Sequence, residues 1–493
     1  MRIPNYVNEI IEKLEKAGFE AYIVGGCVRD LFMGAAPKDW DVTTNARPEE
    51  ILKVFPDGKY ENIFGTVIVP IKNEAWETEA VIEITTYRSE QGYSDRRHPD
   101  EIVFEDMLEK DLERRDFTIN AMAMKLKVSA RGVKSEKLKV EEYEIIDLFG
   151  GQKDIFKKII RAVGEPVDRF KEDALRMMRA VRFSCQFGFA FEPKTERAIT
   201  KMAGGIKFIA LERIRDEFVK ILESDRAYEG VMALHDLKLL QYILPELERG
   251  VGVEQNRHHT YTVFKHSVLS LKYCPSKDWR VRFAALLHDI AKPQTKKFIG
   301  SDATFYNHDI VGAKIAAKIM ERLKFSNADT EKTVILIKNH MFYYNVGEVT
   351  ASSVRRLIVK VGEENLKDLI DLRIADRLGS GVAKAKPYKL RHLEYMMEKV
   401  GKDPVSAKML NINGVDVMQI LKIGSGPKIG AILDVILSEV IDDPALNEKE
   451  YLEKRCIELN ELNLEELRKK AKEKIEDKKM EDDEELKKEF WVK

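Results

Sequence analysis

Two aspartates one residue apart, Asp39 and Asp41, stand in the stretch GGCVRDLFMGAAPKDWDVTT. Residues i and i+2 of a β-strand face the same side of a sheet, so these two carboxylates are predicted to lie side by side. They either stay solvated or hold a divalent metal ion. Glu83, in the strand-like VIEITTYR, is a third acid that would complete the cluster. Two metal ions about 3.5–4 Å apart activate an attacking hydroxyl and neutralise a leaving pyrophosphate.

The residues ahead of these aspartates suit phosphate binding. Gly25 and Gly26 follow a predicted strand, AYIV, and precede a predicted helix, where backbone N–H groups and the helix dipole favour an anion. Arg29 lies one turn into that helix and is placed to grip a triphosphate oxygen. Glycine pairs and Asp-x-Asp patterns are common when taken singly. In this order, with Glu83 following, they predict a metal-dependent nucleotidyl transfer site.

A third set of charges lies in EDALRMMRAVRF at 172–183. Arg176, Arg179 and Arg182 are three residues apart and drift slowly around one side of a predicted helix, and Asp173 is spaced to pair with Arg176. On a solvated face that pair is worth only about 0.2–0.5 kcal/mol. The intervening apolar residues leave no solvated face, so some of these charges are predicted to be partly buried, and a buried charge needs a partner or a function.

An aspartate–arginine pair also has the hydrogen-bonding pattern needed to select bases. Cytosine and adenine present an amino donor beside a ring-nitrogen acceptor, which an aspartate and an arginine complement. Uracil and guanine present the reverse order and leave both side chains unpaired, at about 1–3 kcal/mol per group. Such a pair therefore accepts C and A and rejects U and G without a nucleic-acid template.

Histidines form a second candidate site in the middle of the chain. Six of the nine histidines lie between residues 258 and 340, which core packing explains poorly. His288 and Asp289 are adjacent, and adjacent helical side chains differ by about 100°, so both reach one metal only near a helix end. Pro293 is predicted to supply that end. Imidazole with carboxylate suits Mn, Ni, Zn or Fe, with Mg possible in an oxygen-rich site.

The surrounding elements indicate several domains. At 493 residues the chain is too long for one core, and roughly three or four domains are expected. Strands are predicted at WDVTT, TVIVPI and AVIEITTYR, and a helix over EKDLERRDFTINAMAM, which together indicate an α/β or α+β head. From about Asp154 helical periodicity dominates. The segment from about Asn463 is rich in Lys, Glu and Asp and is predicted to be a solvated helix or frayed tail.

Composition restricts the class of protein. The chain lacks a run of about 18 apolar residues, so no membrane span is expected, and the N-terminal helix pattern lacks the apolar core of a signal peptide. The net charge of -1 excludes a globally basic nucleic-acid binder. Scattered cysteines predict a reducing, cytoplasmic location without a disulfide framework. They are Cys27, Cys185, Cys274 and Cys456.

GGCVRDLFMGAAPKDWDVTT resembles the nucleotidyltransferase signature in the form used by bacterial-type (class II) tRNA nucleotidyltransferases, the CCA-adding enzymes of the poly(A) polymerase family. Further motifs follow in the family's order. EITTYRSEQGYSDRRHP resembles its flexible loop, ERRDFTINAMA its ribose- and phosphate-contacting motif and DLFGG its hinge. EDALRMMRAVRF resembles the nucleotide-selecting helix and LERIRDEFVKIL the last neck motif. The resemblance covers roughly residues 20–225.

This resemblance implies an activity and a set of site residues. The expected enzyme adds C and A to the tRNA 3′ end from CTP and ATP with Mg²⁺ and releases pyrophosphate. Asp39 and Asp41 are expected to hold the metal, with Glu83 as a further catalytic acid of less certain role. Nucleotide contacts are implied for Gly25, Gly26, Arg29, Arg115, Asp116, Asn120, Asp173, Arg176, Arg179 and Arg182.

The histidine region resembles the HD superfamily of metal-dependent phosphohydrolases, whose pattern is H…HD…D on a helical bundle. The resemblance implies four metal ligands: His266, His288, Asp289 and Asp376. His308 and His340 are expected beside them, supporting the ligands or the substrate. The domain is expected to hydrolyse terminal or 2′,3′-cyclic phosphates with a divalent transition metal or Mg²⁺, or only to support tRNA binding.

The predicted fold is multidomain α+β, with an α/β nucleotidyltransferase head and all-α domains after it. NINGVDVMQILKIGSGPKIG resembles the family's C-terminal tRNA-contacting helices, where Gly424 and Gly426 precede a helix start at Pro427. The predicted divisions are a head at 1–153, a neck at 154–250, an HD domain at 251–385, a C-terminal body at 386–460 and a charged tail at 461–493. The sequence does not determine the oligomeric state.

Several alternatives stay open. A partial enzyme would add only A or only CC, although retention of the loop between Arg88 and Glu105 disfavours the CC-only form. A poly(A) polymerase is disfavoured because an Asp173/Arg176 pair suits use of both C and A. From another class, the chain would be an HD phosphohydrolase with an RNA-binding head, which the intact DWD and RRD motifs argue against. If the chain were a non-catalytic RNA-binding scaffold, neither the carboxylates of the head nor those of the HD region would have a catalytic role.

Overall fold

The structure is a computed structural model and divides the chain into two compact units. The first comprises residues 1–249 and 321–325, and the second comprises 250–320 and the chain from 326 onward. No helix among the described residues is long and apolar enough to cross a membrane. The described residues are 3–62, 65–72, 77–91, 101–127, 143–255, 260–299, 302–345, 349–381, 386–400 and 409–470.

The first unit begins with a seven-stranded sheet and short helices. Its elements are α1 (Asn5–Lys16), β1 (Ala21–Val24), α2 (Gly26–Phe32), β2 (Asp41–Thr44), α3 (Pro48–Val54), β3 (Lys59–Asn62), β4 (Thr66–Lys72), β5 (Thr78–Thr86), β6 (Arg88–Gln91), β7 (Glu101–Phe104), α4 (Leu108–Glu113), β8 (Ala123–Leu126) and β9 (Tyr143–Ile146). The strand order is β3-β4-β5-β2-β1-β8-β9. β2 and β5 are parallel, and the other neighbours are antiparallel.

The three central strands form because alternate apolar residues bury one face against α1 and α3. Ile23, Val42 and Ile84 are fully buried in this core together with α1 residues such as Val7. The strands predicted from AYIV, WDVTT, TVIVPI and AVIEITTYR are confirmed. The helix predicted over EKDLERRDFTINAMAM is wrong beyond Glu113, where α4 ends. Ala123 and Met124 belong to strand β8, and Met124 packs into the core.

The region that resembles the family's flexible loop is bordered by an antiparallel pair of strands, β6 and β7. Arg88 faces Phe104 in their register. These strands were not predicted because β6 (RSEQ) is polar and β7 (EIVF) is only four residues long, so neither shows a clear alternation. The middle of this segment, residues 92–100, lies outside the described residues.

Helices continue the first unit. Its elements are α5 (Gly151–Lys157), β10 (Ile159–Ile160), α6 (Pro166–Glu172), α7 (Leu175–Phe187), β11 (Ala190–Phe191), α8 (Pro193–Met202), α9 (Leu211–Glu223), α10 (Ala227–Asp236), α11 (Leu240–Ile243) and α12 (Pro245–Glu248). Asp173 and Ala174 separate α6 from α7, and Asp173 has an extended backbone with φ -138° and ψ 105°. The single helix predicted over 172–183 is therefore wrong at its start.

The second unit is largely helical. Its elements are α13 (Val263–Tyr273), α14 (Trp279–Leu287), α15 (Lys292–Thr295), β12 (Lys297–Ile299), β13 (Asp302–Thr304), α16 (His308–Arg322, whose last two residues belong to the first unit), α17 (Asn327–Lys338), α18 (Ala351–Val361), α19 (Leu366–Gly379), α20 (Tyr388–Val400), α21 (Gly414–Leu421), α22 (Pro427–Asp442) and α23 (Lys449–Asn460). The predicted helix start at Pro427 is confirmed, with Gly426 as its N-cap.

The beginning of the charged tail is a mostly exposed helix, as predicted, except that one of its leucines is buried. Residues 464–470 are helical, and Leu467 is fully buried with Val435, Ile436 and Leu452 in the C-terminal core. One leucine per turn among charged residues is enough to anchor a helix when a neighbouring apolar face covers it. The rest of the predicted tail, residues 471–493, lies outside the described residues.

Candidate active site and metal centre

The head carboxylates meet where strands β1, β2 and β5 lie side by side. β2 begins at Asp41, which is in register with Glu83 on β5 and Val24 on β1. Asp39 lies in an exposed turn just before the strand, so the prediction that both aspartates extend from one strand is wrong for Asp39. The structure nonetheless brings the three acids within electrostatic reach of one another.

Burial and mutual repulsion perturb these acids. Burial raises the pKa of Asp41, and Asp39 adds to the rise while Arg115 opposes it. Burial and the charges of Asp41, Glu61 and Asp39 raise the pKa of Glu83. A cation among these groups would relieve both effects, so the donor set fits a hard divalent ion. Among described residues, however, groups of three mutually close ligand atoms occur only in the second unit.

A glycine turn keeps space open beside Asp41. Gly25 has φ +79°, a conformation that favours glycine, and its N–H donates to the Met122 carbonyl at 3.3 Å. A Cβ at Gly25 would lie 2.9 Å from Arg115 Nη1 and 3.6 Å from Asp41 Oδ2. Gly26 is the first residue of α2, so the helix begins one residue earlier than predicted, and a Cβ added at Gly26 would lie 3.5 Å from Arg29 Nη2.

Arg115 is oriented by an acid that the sequence interpretation missed. Fully buried Asp111 accepts from Arg114 Nη2 at 2.7 Å and from Arg115 Nη2 at 3.1 Å. Burial would raise the pKa of Asp111, but the two guanidinium groups lower it overall. The spacing of four residues between Asp111 and Arg115 could have predicted this ion pair, since residues i and i+4 are neighbours on a helix.

Four of the predicted nucleotide-contacting residues form one polar network. Arg29 Nη1 donates to Asn120 Oδ1 at 2.7 Å, and Asn120 Nδ2 donates to Asp116 Oδ1 at 3.0 Å. Arg179 Nε donates to Asp116 Oδ2 at 2.7 Å. Burial would raise the pKa of Asp116, but Arg179 and Asn120 lower it to about 2. Arg29 also lies 4.6 Å from the centre of the Phe187 ring, a contact that the sequence did not predict.

The predicted pair between Asp173 and Arg176 is absent, and each residue binds another partner. Asp173 Oδ2 accepts from Arg213 Nη2 of α9 at 2.6 Å, and its Oδ1 accepts from Leu175 N at 3.0 Å. Arg176 Nη1 donates to Glu172 Oε2 at 2.5 Å. The physical reason is the break between α6 and α7, because Asp173 is extended and does not stack over Arg176 as a helical i,i+3 neighbour would.

The remaining α7 arginines also have acidic partners. Arg182 Nε donates to Glu217 Oε2 at 2.6 Å, and Arg179 pairs with Asp116 across the unit. The prediction that charges on this helix are partly buried is confirmed, because Arg182 and Arg176 expose only 12% and 11% of their side chains. Pairing offsets the cost of removing these charges from water.

In the second unit, the four predicted metal ligands come together. His266 Nε2 lies 3.0 Å from His288 Nε2, 3.1 Å from Asp289 Oδ2 and 3.3 Å from Asp376 Oδ1. His308 and His340 lie on the other side of Asp289. His288 caps α14, which ends at Leu287, so the predicted helix end is confirmed. The prediction that Pro293 causes it is wrong, because Pro293 lies in the first turn of α15.

The second unit's cluster fits a transition metal. His288 Nδ1 must donate to the Ala285 carbonyl at 2.8 Å, since a carbonyl only accepts, and this leaves the Nε2 lone pair directed at the cluster. Two imidazole nitrogens with buried carboxylate oxygens are donors that Zn, Mn, Ni or Fe accept. Burial lowers the pKa of His288 but Asp289 raises it to about 10, so a metal ion would have to displace the Nε2 proton before that lone pair could bind it.

Three family models match the chain in order. "Poly A polymerase head domain" matches residues 21–161, "Probable RNA and SrmB- binding site of polymerase A" matches residues 188–250, and "HD domain" matches residues 257–380. The first range contains the head carboxylates and the third contains the histidine cluster. Asp173 and α7 through Phe187 lie between the first two ranges.

Individual proteins are similar over most of the chain. A CCA-adding enzyme of Leuconostoc mesenteroides is 32% identical over 447 residues, which are 90% of this chain and 94% of the relative. An A-adding tRNA nucleotidyltransferase of Deinococcus radiodurans is 32% identical over 432 residues, 84% of this chain and 89% of the relative. The crystal structure of the Bacillus stearothermophilus CCA-adding enzyme in complex with CTP has a TM-score of 0.67 and 26% identity, covering 93% of this chain and 98% of that one.

Other relatives match more closely over a shorter stretch. The chain spans about half the length of CCA-adding enzymes that it matches at 41% to 48% identity over 213 to 246 residues. The shared architecture with the Bacillus stearothermophilus structure extends over nearly the whole of both chains.

Proposed function

The chain belongs to the bacterial-type tRNA nucleotidyltransferases of the poly(A) polymerase family, and from this we propose that it adds C and A to tRNA 3′ ends. CTP and ATP are the donors, and pyrophosphate is released. The observation that carries the proposal is the in-register placement of Asp41 beside Glu83. Next to it, the Gly25 turn leaves open the space bounded by Arg115 and Asp41.

The head residues would have separate roles in holding the metal, contacting the phosphates and contacting the base. Asp39 and Asp41 would hold Mg²⁺, assisted by Glu83, and the ion would supply charge neutralisation at the attacking hydroxyl and the pyrophosphate. Arg115, fixed by Asp111, would contact the phosphates beside Gly25. Oxygen donors of this kind suit Mg²⁺.

The polar network around Asp116 would line one side of the nucleotide-binding site. Its rigidity comes from consecutive charge-assisted hydrogen bonds among Arg29, Asn120, Asp116 and Arg179. Asp173 and Arg176 are proposed to select the base. The domain boundaries and the cytoplasmic location remain predictions; all four cysteines are free and buried, as that location favours.

The test uses three tRNA transcripts, ending at the discriminator base, after C and after CC. Each is incubated with one labelled nucleotide at a time. CCA addition predicts CMP incorporation on the first two transcripts and AMP on the third. AMP incorporation on the third transcript alone would instead support the A-adding alternative. That activity is the one for which the Deinococcus radiodurans relative is named. Incorporation of long AMP tracts would support a poly(A) polymerase.

Gly25→Ala is expected to reduce nucleotide addition about 100-fold. The new methyl group would meet Arg115 Nη1 at 2.9 Å, and displacing a phosphate-contacting group by about 1 Å costs on that order. Gly34→Ala is the matched control, because Gly34 also has positive φ but an added Cβ there meets nothing within 4 Å. The measurement is kcat/KM for AMP addition to tRNA ending in CC. Equal losses of kcat/KM in Gly25→Ala and Gly34→Ala would show that backbone strain, and not the contact with Arg115, lowers the activity.

We further propose that the HD domain is a metal-dependent phosphohydrolase. The supporting observation is the cluster of buried His266, His288 and Asp289 with half-buried Asp376. In a purely structural role these groups would have to be stabilised without a metal. Candidate substrates are terminal phosphates and 2′,3′-cyclic phosphates of RNA ends. A domain that only supports tRNA binding is the alternative, and it predicts no hydrolysis.

His288→Ala combined with Asp289→Ala is expected to abolish metal-dependent hydrolysis while nucleotide addition stays within about two-fold of the parent. The reason is that the proposed ligand sets of the two activities share no residue. Both assays are run on the same preparation, with p-nitrophenyl phosphate and a 2′,3′-cyclic nucleotide as hydrolysis substrates. Loss of nucleotide addition in a double mutant with native circular dichroism would contradict the independence of the two sites.

A further inference from the structure

We propose that Phe187 is a positioning residue for nucleotide addition, because its ring, stacked on Phe183, holds the guanidinium of Arg29. The Cζ atom of Arg29 lies 4.6 Å from the centre of the Phe187 ring and 5.3 Å from the centre of the Phe183 ring. Both distances are within the range of about 6 Å over which an aromatic face attracts a cation. The inference rests on the proposed nucleotide addition and adds a residue that acts through Arg29.

The two rings form one stack at the end of α7. Phe183 and Phe187 are four residues apart, so they are neighbours on one side of the helix. Their centres lie 5.6 Å apart and their planes are inclined by 10°, an offset-stacked arrangement. Fully buried Phe117 contacts Phe183 edge to face, with the ring centres 5.8 Å apart. The core therefore fixes the stack before any nucleotide binds.

Hydrogen bonds fix the edges of the Arg29 guanidinium, whereas the rings lie against the group. Nε and Nη2 donate to Asp30 Oδ1 at 2.9 and 2.7 Å, and Nη1 donates to Asn120 Oδ1 at 2.7 Å. A guanidinium has five N–H donors, so these three bonds within the described part of the chain leave two for a ligand. Those two donors suit an oxygen of the triphosphate, the role predicted for Arg29.

Burial strengthens the contact and makes Phe187 the cleaner residue to test. Arg29 exposes only 10% of its side chain, and a cation–π contact strengthens when water is excluded. Phe183 also contacts the guanidinium groups of Arg182 at 4.1 Å and Arg179 at 5.3 Å, so changing it would disturb three arginines. Phe187 is half-buried, and Arg29 is the one cation over its ring among the described residues.

Phe187→Leu removes the ring but keeps an apolar side chain. We expect kcat/KM for ATP on tRNA ending in CC to fall about ten-fold, equivalent to about 1.4 kcal/mol, mainly through a higher KM for ATP. Phe187→Tyr keeps an aromatic face and is expected to stay within about two-fold of the parent. The matched control is Phe189→Leu, whose ring centre lies 5.7 Å from that of Phe187 but has no cation over it in the described chain.

Fluorinated phenylalanines supply a readout that a packing role would not change. Each added fluorine weakens the negative charge on the face of the ring, while the shape of the side chain stays nearly constant. With mono-, di- and trifluorinated phenylalanine at position 187, we expect the logarithm of kcat/KM to fall stepwise. The same series at position 189 is expected to leave it unchanged. A flat series at 187 would overturn the proposal.

A double-mutant cycle tests whether Phe187 acts through Arg29. Phe187→Leu is expected to have almost no further effect in an Arg29→Gln background, because the contact is already lost. The cycle is measured on ATP affinity by equilibrium titration and on AMP addition. Losses that add in full would overturn the positioning role. A chain that binds ATP without adding AMP would contradict the proposed function, and the affinity cycle would then decide the role of Phe187 by the same criterion.

Discussion

Asp41→Asn is expected to lower kcat/KM for nucleotide addition at least about 100-fold while tRNA affinity stays nearly unchanged. The substitution keeps the size of the side chain and removes its charge, so the proposed metal loses a ligand at the centre of the cluster. Removing one electrostatic stabiliser of a transition state typically costs about 10²–10³ in rate. Asp39→Ala is expected to act in the same direction, because the exposed turn offers no replacement acid from its own motif.

The structure supplies a matched control for Asp41. Glu79 lies four residues before Glu83 on β5 and is exposed. Glu79→Gln removes one negative charge from the same sheet and is expected to leave activity within about two-fold. The measurement is single-turnover addition of AMP to tRNA ending in CC, with tRNA affinity measured separately. Activity of Asp41→Asn close to that of Glu79→Gln would contradict the metal assignment.

Asp173→Ala is expected to relax base choice, with UTP and GTP used at rates closer to those of CTP and ATP. A site that rejects a base by leaving its own polar groups unpaired discriminates about 10⁴-fold, so the change should be large. The pairing seen in the structure does not prevent this role. A carboxylate has about four acceptor positions, and the three hydrogen bonds from Arg213 and Leu175 leave about one for an exocyclic amine.

The unexpected partner of Asp173 makes a sharper control possible. Arg213→Met breaks the same ion pair but keeps the carboxylate, so it is expected to lower the rate while preserving the preference for C and A. The measurement is kcat/KM for all four nucleotides on tRNA ending in CC. If Asp173→Ala slows all four equally and behaves like Arg213→Met, Asp173 is a structural partner of α9 and base selection lies elsewhere in the helical region.

Sequence alone identified the parts of both sites that depend on local geometry. A glycine pair after a buried strand, an aspartate at the start of the next strand and a histidine at a helix end follow from period-2 and period-3.6 patterns and from turn chemistry. The ordered motifs from Gly25 to Arg182 carried the family resemblance that the comparisons confirm. In the HD domain, the sequence proposed four ligands, and the structure brings all four together.

The tertiary structure decided which distant groups meet. Asp173 binds Arg213 across 40 residues of chain, and Asp111 and Phe187 join the head site although neither was predicted as a site residue. The two oxygens of Asp289 face two separate pairs of histidines, which come from the first turns of α13 and α16 and from the ends of α14 and α17. Sequence patterns report neighbours within one turn or strand, whereas contacts between distant segments depend on how the helices break and pack.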